Sequence, residues 1–236
     1  MPPALQRTLA AVGRFNDAHP WSHNDAYAAL VLHHARRVRA AGGTAALDVG
    51  CGTGNLVRRL ARIFPAVTGL EPDAATAEQA RRTTAGLANV RILSEPFDES
   101  HRNQYDLITF VAVLHHLPLQ ATLERVRELL RPGGRLVVVG LSRESPGDLP
   151  WSIASLVLNP IVGVVVHPRR ARETPPQMTA PTAMATETFE EIALTANRVL
   201  PGARLRRALF WRYTLSWTAP PVDNPPANPP SACTLN

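Results

Sequence analysis

The sequence contains no lysine, and all 25 basic residues among its 236 are arginine. A lysine Schiff base and a lysine general base are therefore excluded, so a side-chain base that works near neutral pH is expected to be a histidine. The formal net charge is +6. Because the arginines occur in scattered pairs such as Arg36–Arg37 and Arg58–Arg59, we interpret them as solvated helix faces and not as a nucleic-acid surface.

Cysteines and long apolar runs are also scarce. Cys51 and Cys233 lie far apart, which indicates two free thiols and not a disulfide framework. No run of 18 apolar residues predicts a membrane span, and the N-terminal "MPPALQRTLAAVGRF" lacks the charged-then-apolar order of a signal peptide. We therefore expect a cytoplasmic protein. No His, Cys, Asp or Glu grouping has metal-ligand spacing, so no metal is expected.

Short apolar segments alternate with helical patterns between residues 44 and 141. Strands are predicted at "TAALDV", "AVTGLE", "VRIL", "YDLITFV" and "RLVVVGL", with a turn at "RPGG" before the last of these. Crossover connections between such strands predict an α/β fold with a mostly parallel, doubly wound sheet. "ETFEEIALTANRVL" predicts a further helix, and "ARLRRAL" and "WRYTLSWTA" predict two closing strands.

The remaining segments are predicted as additions to a main domain at 44–219. Residues 1–43 predict an N-terminal helical cap, with a helix-start pattern at Ser22. Residues 143–181 form an insertion after the fifth strand. The tail 220–236 has six prolines and no apolar periodicity, so it is expected to be disordered.

The most informative stretch is "ALDVGCGTG", which covers the end of the first predicted strand and the loop after it. The dinucleotide fingerprint is G-x-G-x-x-G, whereas Gly50, Gly52 and Gly54 are spaced G-x-G-x-G. The carboxylate of Asp48, just before this loop, would repel a pyrophosphate but attract an ammonium or a sulfonium. S-adenosylmethionine combines a sulfonium with a zwitterionic amino acid, and it fits these demands.

Glu71 ends the second predicted strand, where an acidic side chain can accept hydrogen bonds from both ribose hydroxyls. Proteins that bind NAD use the same device, so Glu71 alone does not discriminate between the two cofactors. The spacing of the glycines and the Asp48 carboxylate favour S-adenosylmethionine over NAD.

These residues resemble a known family. The run Asp48–Gly54, then Glu71, then "YDLITFVAVLHHL" and "LLRPGGRLVVVG" resemble the class I S-adenosylmethionine-dependent methyltransferases of small-molecule type. The resemblance covers 44–141 by motif and 186–219 by topology. It implies a Rossmann-like sheet of seven strands whose last strand is antiparallel. It also implies S-adenosylmethionine as cofactor and S-adenosylhomocysteine as product.

The family usually has Gly-Asp after the third strand, with the acid on the adenine amino group. Here the segment reads "LSEPFDE", so Glu95 is the best match and Asp98 its rival. Phe97 is expected either on the adenine face or in the core beneath the loop. The predicted cofactor-binding residues are Asp48, Gly50, Cys51, Gly52, Gly54, Asn55, Glu71, Pro72, Glu95, Pro96, Phe97, Val111 and Trp21.

Candidate bases follow from the chemistry of methyl transfer. A hydroxyl or ammonium acceptor must lose a proton, and a base with a pKa near neutrality suits that step. His115 and His116 follow the fourth strand, where this fold presents residues to the reactive end of the cofactor. Alternatively, the segment "LHHL" serves only to shape the site and to supply backbone hydrogen bonds. His23 is the third candidate.

Two segments are predicted to contact the acceptor. Residues 19–27, "HPWSHNDAY", form either a lid or an ordinary helix entry. The insertion forms the wall of a lipophilic pocket with arginines for an acidic group, a surface helix pair or dimer partner, or a membrane-surface segment. The predicted substrate contacts are His19, Tyr27, Trp151, His167, Arg169 and Arg170.

The sequence therefore predicts methyl transfer to oxygen or nitrogen of a small, partly apolar molecule, a specialised metabolite. The alternatives are methyl-ester formation on a modified peptide, nucleic-acid methylation and non-catalytic cofactor binding. "VAVLHHL" stands where amino-methylating nucleic-acid enzymes have an Asn/Asp-Pro-Pro-aromatic run, so no nucleic-acid partner is expected. A monomer or a homodimer is expected.

Overall fold

The computed structural model describes residues 26–98, 104–166 and 184–221. Several predicted features lie outside the described residues. They are His19, Trp21, the helix start at Ser22, His23, His167, Arg169, Arg170 and the tail from residue 222 onwards.

Strands and helices alternate along the described chain, as the sequence predicts. The strands are β1 (Ala45–Val49), β2 (Ala66–Leu70), β3 (Val90–Leu93), β4 (Tyr105–Val111), β5 (Leu130–Gly140), β6 (Arg204–Ala208) and β7 (Arg212–Thr218). The helices are α1 (Ala28–Ala40), α2 (Asn55–Leu60), α3 (Ala74–Thr83), α4 (Leu119–Leu129), α5 (Leu149–Val166) and α6 (Phe189–Val199).

The seven strands form one sheet in the order β3-β2-β1-β4-β5-β7-β6. The first five strands are parallel, and β7 runs antiparallel to both β5 and β6. The predicted fold class, a mostly parallel seven-stranded sheet with an antiparallel last strand, is confirmed. The strand order reverses between β1 and β4, and α/β sheets bind their ligands at such a reversal.

Two cores cover the two faces of the sheet, because successive strand residues point to opposite faces. Ile108 and Phe110 of β4 pack in the core that includes Leu123 of α4 and Ile192 of α6. Leu107, the residue before Ile108, packs in the opposite core with α1, α2 and α3. That second core includes Val31, Ala35, Val57, Leu60, Ala77, Val137 and Val139.

The segment "RPGG" lies inside β5 and does not precede it. The pairing with β4 shifts register between Tyr105 and Leu107, so residues 131–134 form a bulge in the longer strand. Gly133 has φ 76° there, and its N–H donates to the Ala219 carbonyl at 3.0 Å. The predicted turn chemistry is present, but the predicted strand boundary is wrong, because Leu130 pairs with Tyr105 before the bulge and so extends β5 back to residue 130.

The hairpin between β6 and β7 turns at residues 209–211. Phe210 and Trp211 have φ values of 59° and 56°. This left-handed region favours glycine, and a bulky side chain is strained there. The turn therefore depends on contacts made by other segments of the chain.

Helix α5 forms within the predicted insertion, with a short 3₁₀ turn at Pro146–Asp148 before it. The segment Pro146–Val165 is long and apolar enough to cross a membrane by length and composition. The apolar-run argument missed it, because Ser155 and Asn159 interrupt the run without ending the helix. One such helix is only a weak indication of a membrane span.

Candidate functional site

The carboxyl ends of β1, β2 and β4 bring the predicted cofactor residues to one edge of the sheet. Val49 pairs with Leu70 on one side and with Phe110 on the other. The glycine loop, Glu71 and the segment after β4 therefore begin at the same level. Parallel pairing alone produces this arrangement, since parallel strands all end on the same side.

The glycine loop needs its glycines for two separate reasons. Gly50, Gly52 and Gly54 have φ values of 65°, 52° and 83°, which other residues rarely adopt. A Cβ on Gly50 would lie 2.2 Å from a methyl group of Val113, so the Val113 side chain already fills the space that a side chain at position 50 would need. A Cβ on Gly52 would meet no atom within 4 Å. The loop therefore leaves open space on that side for a ligand.

Asp48 is buried at the base of this loop. Its carboxylate accepts a hydrogen bond from the Thr109 hydroxyl of β4 at 2.7 Å. Burial raises the pKa of Asp48 to about 7, an effect that the Thr109 bond opposes and the nearby Glu71 charge reinforces. The carboxylate is thus poised to ionise when a cation arrives beside it.

Glu71 lies just after β2 and bridges the loop to α3. Its two oxygens accept from the N–H groups of Gly52 at 3.0 Å and Asp73 at 3.1 Å. Asp73 in turn caps α3 by accepting from the Thr76 N–H at 2.8 Å. A carboxylate has about four acceptor positions, so Glu71 retains capacity for the two hydroxyls of a ribose.

The other predicted residues of the loop have packing or surface positions. The Cys51 thiol is buried, and burial together with the Asp48 and Glu71 charges raises its pKa. It therefore stays protonated and acts as a small apolar group. Asn55 begins α2 after the N-cap Gly54, and Pro72 is exposed beside Glu71.

The segment after β3 places Glu95 half-buried and Pro96 exposed. The Phe97 ring packs edge-on against Phe110, with ring centroids 5.5 Å apart and an interplanar angle of 87°. Phe110 is fully buried. Of the two positions expected for Phe97, the geometry favours the core beneath the loop.

The segment after β4 turns sharply at Ala112, which has φ 57° and donates its N–H to the Val139 carbonyl at 2.8 Å. Val111 is half-buried, and a 3₁₀ turn at Leu114–His116 follows. His115 is half-buried and His116 exposed, with ring centroids 4.0 Å apart. Both histidines therefore lie just beyond the end of β4, two and three residues after Val113, whose side chain packs against Gly50.

A second set of contacts lies at the same edge, towards β5 and β7. The Tyr27 hydroxyl donates to the Leu209 carbonyl at 2.7 Å. Burial raises the pKa of Tyr27, although the Arg212 charge and the Leu209 bond oppose that shift. The segment before α1 thus meets the β6–β7 hairpin across 182 residues of sequence.

Helix α5 is bound to the same hairpin. The Ser155 hydroxyl accepts from the Phe210 N–H at 2.6 Å and donates to the Trp151 carbonyl at 2.7 Å. Asp148, just before α5, accepts from Arg207 of β6 at 2.7 Å. Trp151 itself is exposed, so its predicted contact with the acceptor stays a prediction.

Sequence reasoning missed Thr109, Ser155 and Arg207. Thr109 carried a signal, because a hydroxyl in the buried strand "YDLITFV" needs a partner. Ser155 and Arg207 carried none, since their partners are 55 and 59 residues away. Among the described residues, no group of three His, Cys, Asp or Glu side chains could hold a metal ion.

Comparison with known proteins identifies the family. A family model described as a methyltransferase domain matches residues 47–136. An uncharacterized methyltransferase of Mycobacterium tuberculosis is 32% identical over 208 residues, which cover 85% of this chain and 98% of the relative. A ubiquinone biosynthesis O-methyltransferase of Shewanella is 29% identical over 130 residues, covering 53% of this chain and 55% of the relative.

Solved structures agree on the fold. Magnesium protoporphyrin IX methyltransferase from Synechocystis, with bound S-adenosylhomocysteine, has a TM-score of 0.53 at 17% identity. The match covers 82% of this chain and 83% of that one. Together with the sequence relatives and the motifs at Asp48–Gly54 and Glu71, these similarities show that the chain belongs to the class I S-adenosylmethionine-dependent methyltransferases.

Proposed function

We propose that this enzyme transfers a methyl group to oxygen or nitrogen of a small, partly apolar molecule, such as a specialised metabolite. The contact between Tyr27 and Leu209 carries the proposal. It joins Tyr27, directly before α1, to the β6–β7 hairpin at the sheet edge that also holds His115 and His116. An acceptor site at which residues from distant parts of the chain meet suits a small molecule.

The cofactor is held by the chain's own acidic groups. S-adenosylmethionine supplies, when bound, an electrophilic methyl group on a sulfonium. Asp48 offers its buried carboxylate to the cationic part of the ligand, and burial strengthens that attraction. Glu71 accepts the ribose hydroxyls, while the open side of Gly52 admits the ligand against the backbone. Glu95 is proposed for the adenine amino group.

The acceptor is positioned and deprotonated by residues beyond β4. In-line transfer depends on holding the acceptor atom close to the methyl group in a site that excludes water. His116 or His115 takes the proton that a hydroxyl or ammonium acceptor loses. His23 is the remaining candidate for this role, and Tyr27 is a proposed acceptor contact.

Oxygen is the favoured acceptor atom, because curated relatives are named O-methyltransferases. Methyl-ester formation on a carboxylate is a second candidate. The Arg212 guanidinium lies beside Tyr27, and burial lowers its pKa to about 10. A cation at this position would bind an acidic acceptor, with Arg169 and Arg170 as further proposed contacts. Cytoplasmic location and a monomeric or homodimeric state remain part of the proposal.

Production of S-adenosylhomocysteine from S-adenosylmethionine tests the proposal. The acceptors are a phenol, a catechol, an aliphatic amine, an aromatic carboxylic acid and a duplex oligonucleotide, each assayed alone. We expect turnover with at least one hydroxyl or amine acceptor, and none with the oligonucleotide. Turnover with the carboxylic acid alone would favour the ester-forming candidate. Turnover with the oligonucleotide alone would contradict the proposal.

A further inference from the structure

Helix α5 has its polarity inverted. The positions that it buries against the protein are Ser155, Asn159 and Gly163, spaced four residues apart along one side. A helix on a protein surface normally buries its apolar side and exposes its polar side. Here the side that meets the domain is small and polar, and the Ser155 hydroxyl bonds to the Phe210 N–H.

The exposed side of α5 is apolar and uncharged. Large apolar side chains with exposures from 37% to 75% occupy it, and no charged residue occurs between positions 149 and 166. At 3.6 residues per turn these side chains cover an arc of about 220°. They are Leu149, Trp151, Ile153, Leu156, Val157, Ile161, Val164 and Val165.

The apolar surface continues onto the β6–β7 hairpin. The Ser155 hydroxyl links the Trp151 carbonyl to the Phe210 N–H, so the chain beside Trp211 lies against the first turns of α5. Trp151 and Trp211 are 42% and 36% exposed. Tryptophan side chains are enriched where hydrocarbon meets lipid headgroups, because the ring is amphipathic.

We propose that α5 and the hairpin beside it form a docking surface for a membrane that contains acidic lipids. The width of the apolar arc favours lipid over a second copy of the chain. A helix that packs on one protein partner needs an apolar stripe of about 100°, whereas acyl chains cover an arc of any width. The helix lies in the membrane surface and does not cross it, since Ser155, Asn159 and Gly163 stay against the domain.

Charge identifies the kind of lipid. The sequence that follows α5 reads "HPRRARE", with three arginines and one glutamate within seven residues. Basic residues directly beside a membrane-bound helix are attracted to acidic headgroups, and this attraction weakens as salt rises. An uncharged apolar helix followed in sequence by arginines therefore favours acidic lipids over zwitterionic ones.

Co-flotation of the full chain with vesicles tests this proposal without cofactor or acceptor. The vesicles are pure phosphatidylcholine, or phosphatidylcholine with phosphatidylglycerol. We expect binding at least about tenfold tighter to the acidic vesicles, falling as salt is added. A blue shift of tryptophan fluorescence should accompany it, because Trp151 and Trp211 leave water. Equal binding to both kinds of vesicle, or to neither, would overturn the proposal.

The matched variants are V157E/I161E on α5 and L194E on α6, all at exposed apolar positions. The α5 variant is expected to lose at least about tenfold in vesicle binding, whereas L194E keeps it. An unchanged melting temperature shows that each variant is folded. If both variants bind like the parent protein, α5 is not the docking surface. If the parent chain is a dimer that V157E/I161E dissociates and vesicles bind neither, a second copy occupies the surface and the proposal fails.

Discussion

The site has two ends that form in different ways. At the glycine-loop end, Asp48 pairs with Thr109 of β4, and Val49 pairs with Leu70 of β2, which places Glu71 beside the glycine loop. Tyr27 and Leu209, by contrast, are 182 residues apart and meet only because a segment before α1 reaches the last hairpin. The glycine-loop end is therefore determined by the register of the sheet. The hairpin end, which holds Tyr27 and Leu209, is determined by contacts between segments that are distant in sequence.

This difference separates features that any chain with this fold would share from features that depend on individual side chains of this chain. The glycine-loop end would form in any chain with the same strands and loop, so it is expected to serve the shared cofactor. The hairpin end depends on individual side chains such as Ser155 and Arg207. We therefore expect cofactor binding and acceptor binding to be separable by substitution.

The largest expected effect is on turnover, when the histidine that takes the proton from the acceptor is replaced. For a hydroxyl or ammonium acceptor, replacing the histidine that acts as base, His116, His115 or His23, with alanine should lower turnover about 100-fold. Cofactor affinity should change little. Protonated imidazole cannot accept a proton, so the acidic limb of the pH–rate profile from about pH 5 to about pH 9 should disappear in that variant. Single-turnover rates measure this effect.

His33→Ala, at an exposed position on α1, is the control for the histidine series. If none of the three candidate variants changes turnover, while Arg169→Ala or Arg170→Ala raises KM, the acceptor is a carboxylate that needs no base. If none of these five variants has an effect, the acceptor end is placed wrongly.

Asp48→Ala and Glu71→Ala should each weaken binding of S-adenosylhomocysteine by about 1–3 kcal/mol, since each removes a charged hydrogen-bonding group. Calorimetry measures the affinity. Asp73→Ala is the matched control, because Asp73 is an exposed carboxylate that caps α3. It should cost about 1 kcal/mol of folding free energy and leave the affinity unchanged. Full affinity in both test variants would show that the cofactor lies elsewhere.

Cofactor affinity should also depend on pH. The pKa of Asp48 is raised to about 7, so at pH 6 the free enzyme carries mostly the protonated acid. A cationic ligand needs the carboxylate, and so affinity should rise about tenfold from about pH 6 to about pH 8, with a proton released on binding at the lower value. Calorimetry in buffers of different ionisation enthalpy measures the proton. Asp48→Asn should flatten the profile, and a parent profile as flat as that of Asp48→Asn would contradict the assignment.

Tyr27→Phe sharpens the comparison from the other end. Losing the bond to Leu209 should raise the acceptor KM by about 2- to 10-fold, in line with the roughly 0.5–1.5 kcal/mol of one hydrogen bond. The affinity for S-adenosylhomocysteine should not change. Tyr105→Phe is the control, because Tyr105 lies at the amino end of β4. An equal loss of cofactor affinity in Tyr27→Phe would show that the two ends are coupled.

The smallest effect is expected from the tail. Ala219 is part of the fold, since its N–H donates to the Gly134 carbonyl at 2.8 Å. A chain that ends after Pro221 keeps this bond and should retain its melting temperature and turnover, because the removed residues show no pattern that would bury them. A lower melting temperature would mean that the tail docks on the domain.

The glycine-loop end was predictable because local chemistry decides it. Asp48, three alternating glycines and Glu71 each follow a strand, and parallel pairing leaves no choice about where they meet. The role of Phe97 was not predictable, since its contact with Phe110 depends on how the chain turns after β3.

Most contacts at the hairpin end could not be predicted from the sequence. The sequence placed Tyr27 at a possible lid but could not supply its partner at position 209. The inverted burial of α5 was hidden for another reason. Helical periodicity assumes that apolar residues face the protein, and Ser155 and Asn159 do so instead.

The strained turn at Phe210 and Trp211 has a consequence for engineering. Each residue adopts a left-handed conformation that costs a non-glycine residue about 1–2 kcal/mol. Glycine at position 211 would relieve this strain, but it would also remove a ring of which only 36% is exposed, so lost packing offsets the gain. Directed evolution for heat resistance alone should therefore retain Trp211. The strained turn and the aromatic surface beside the acceptor end are thus kept together by the packing of one ring.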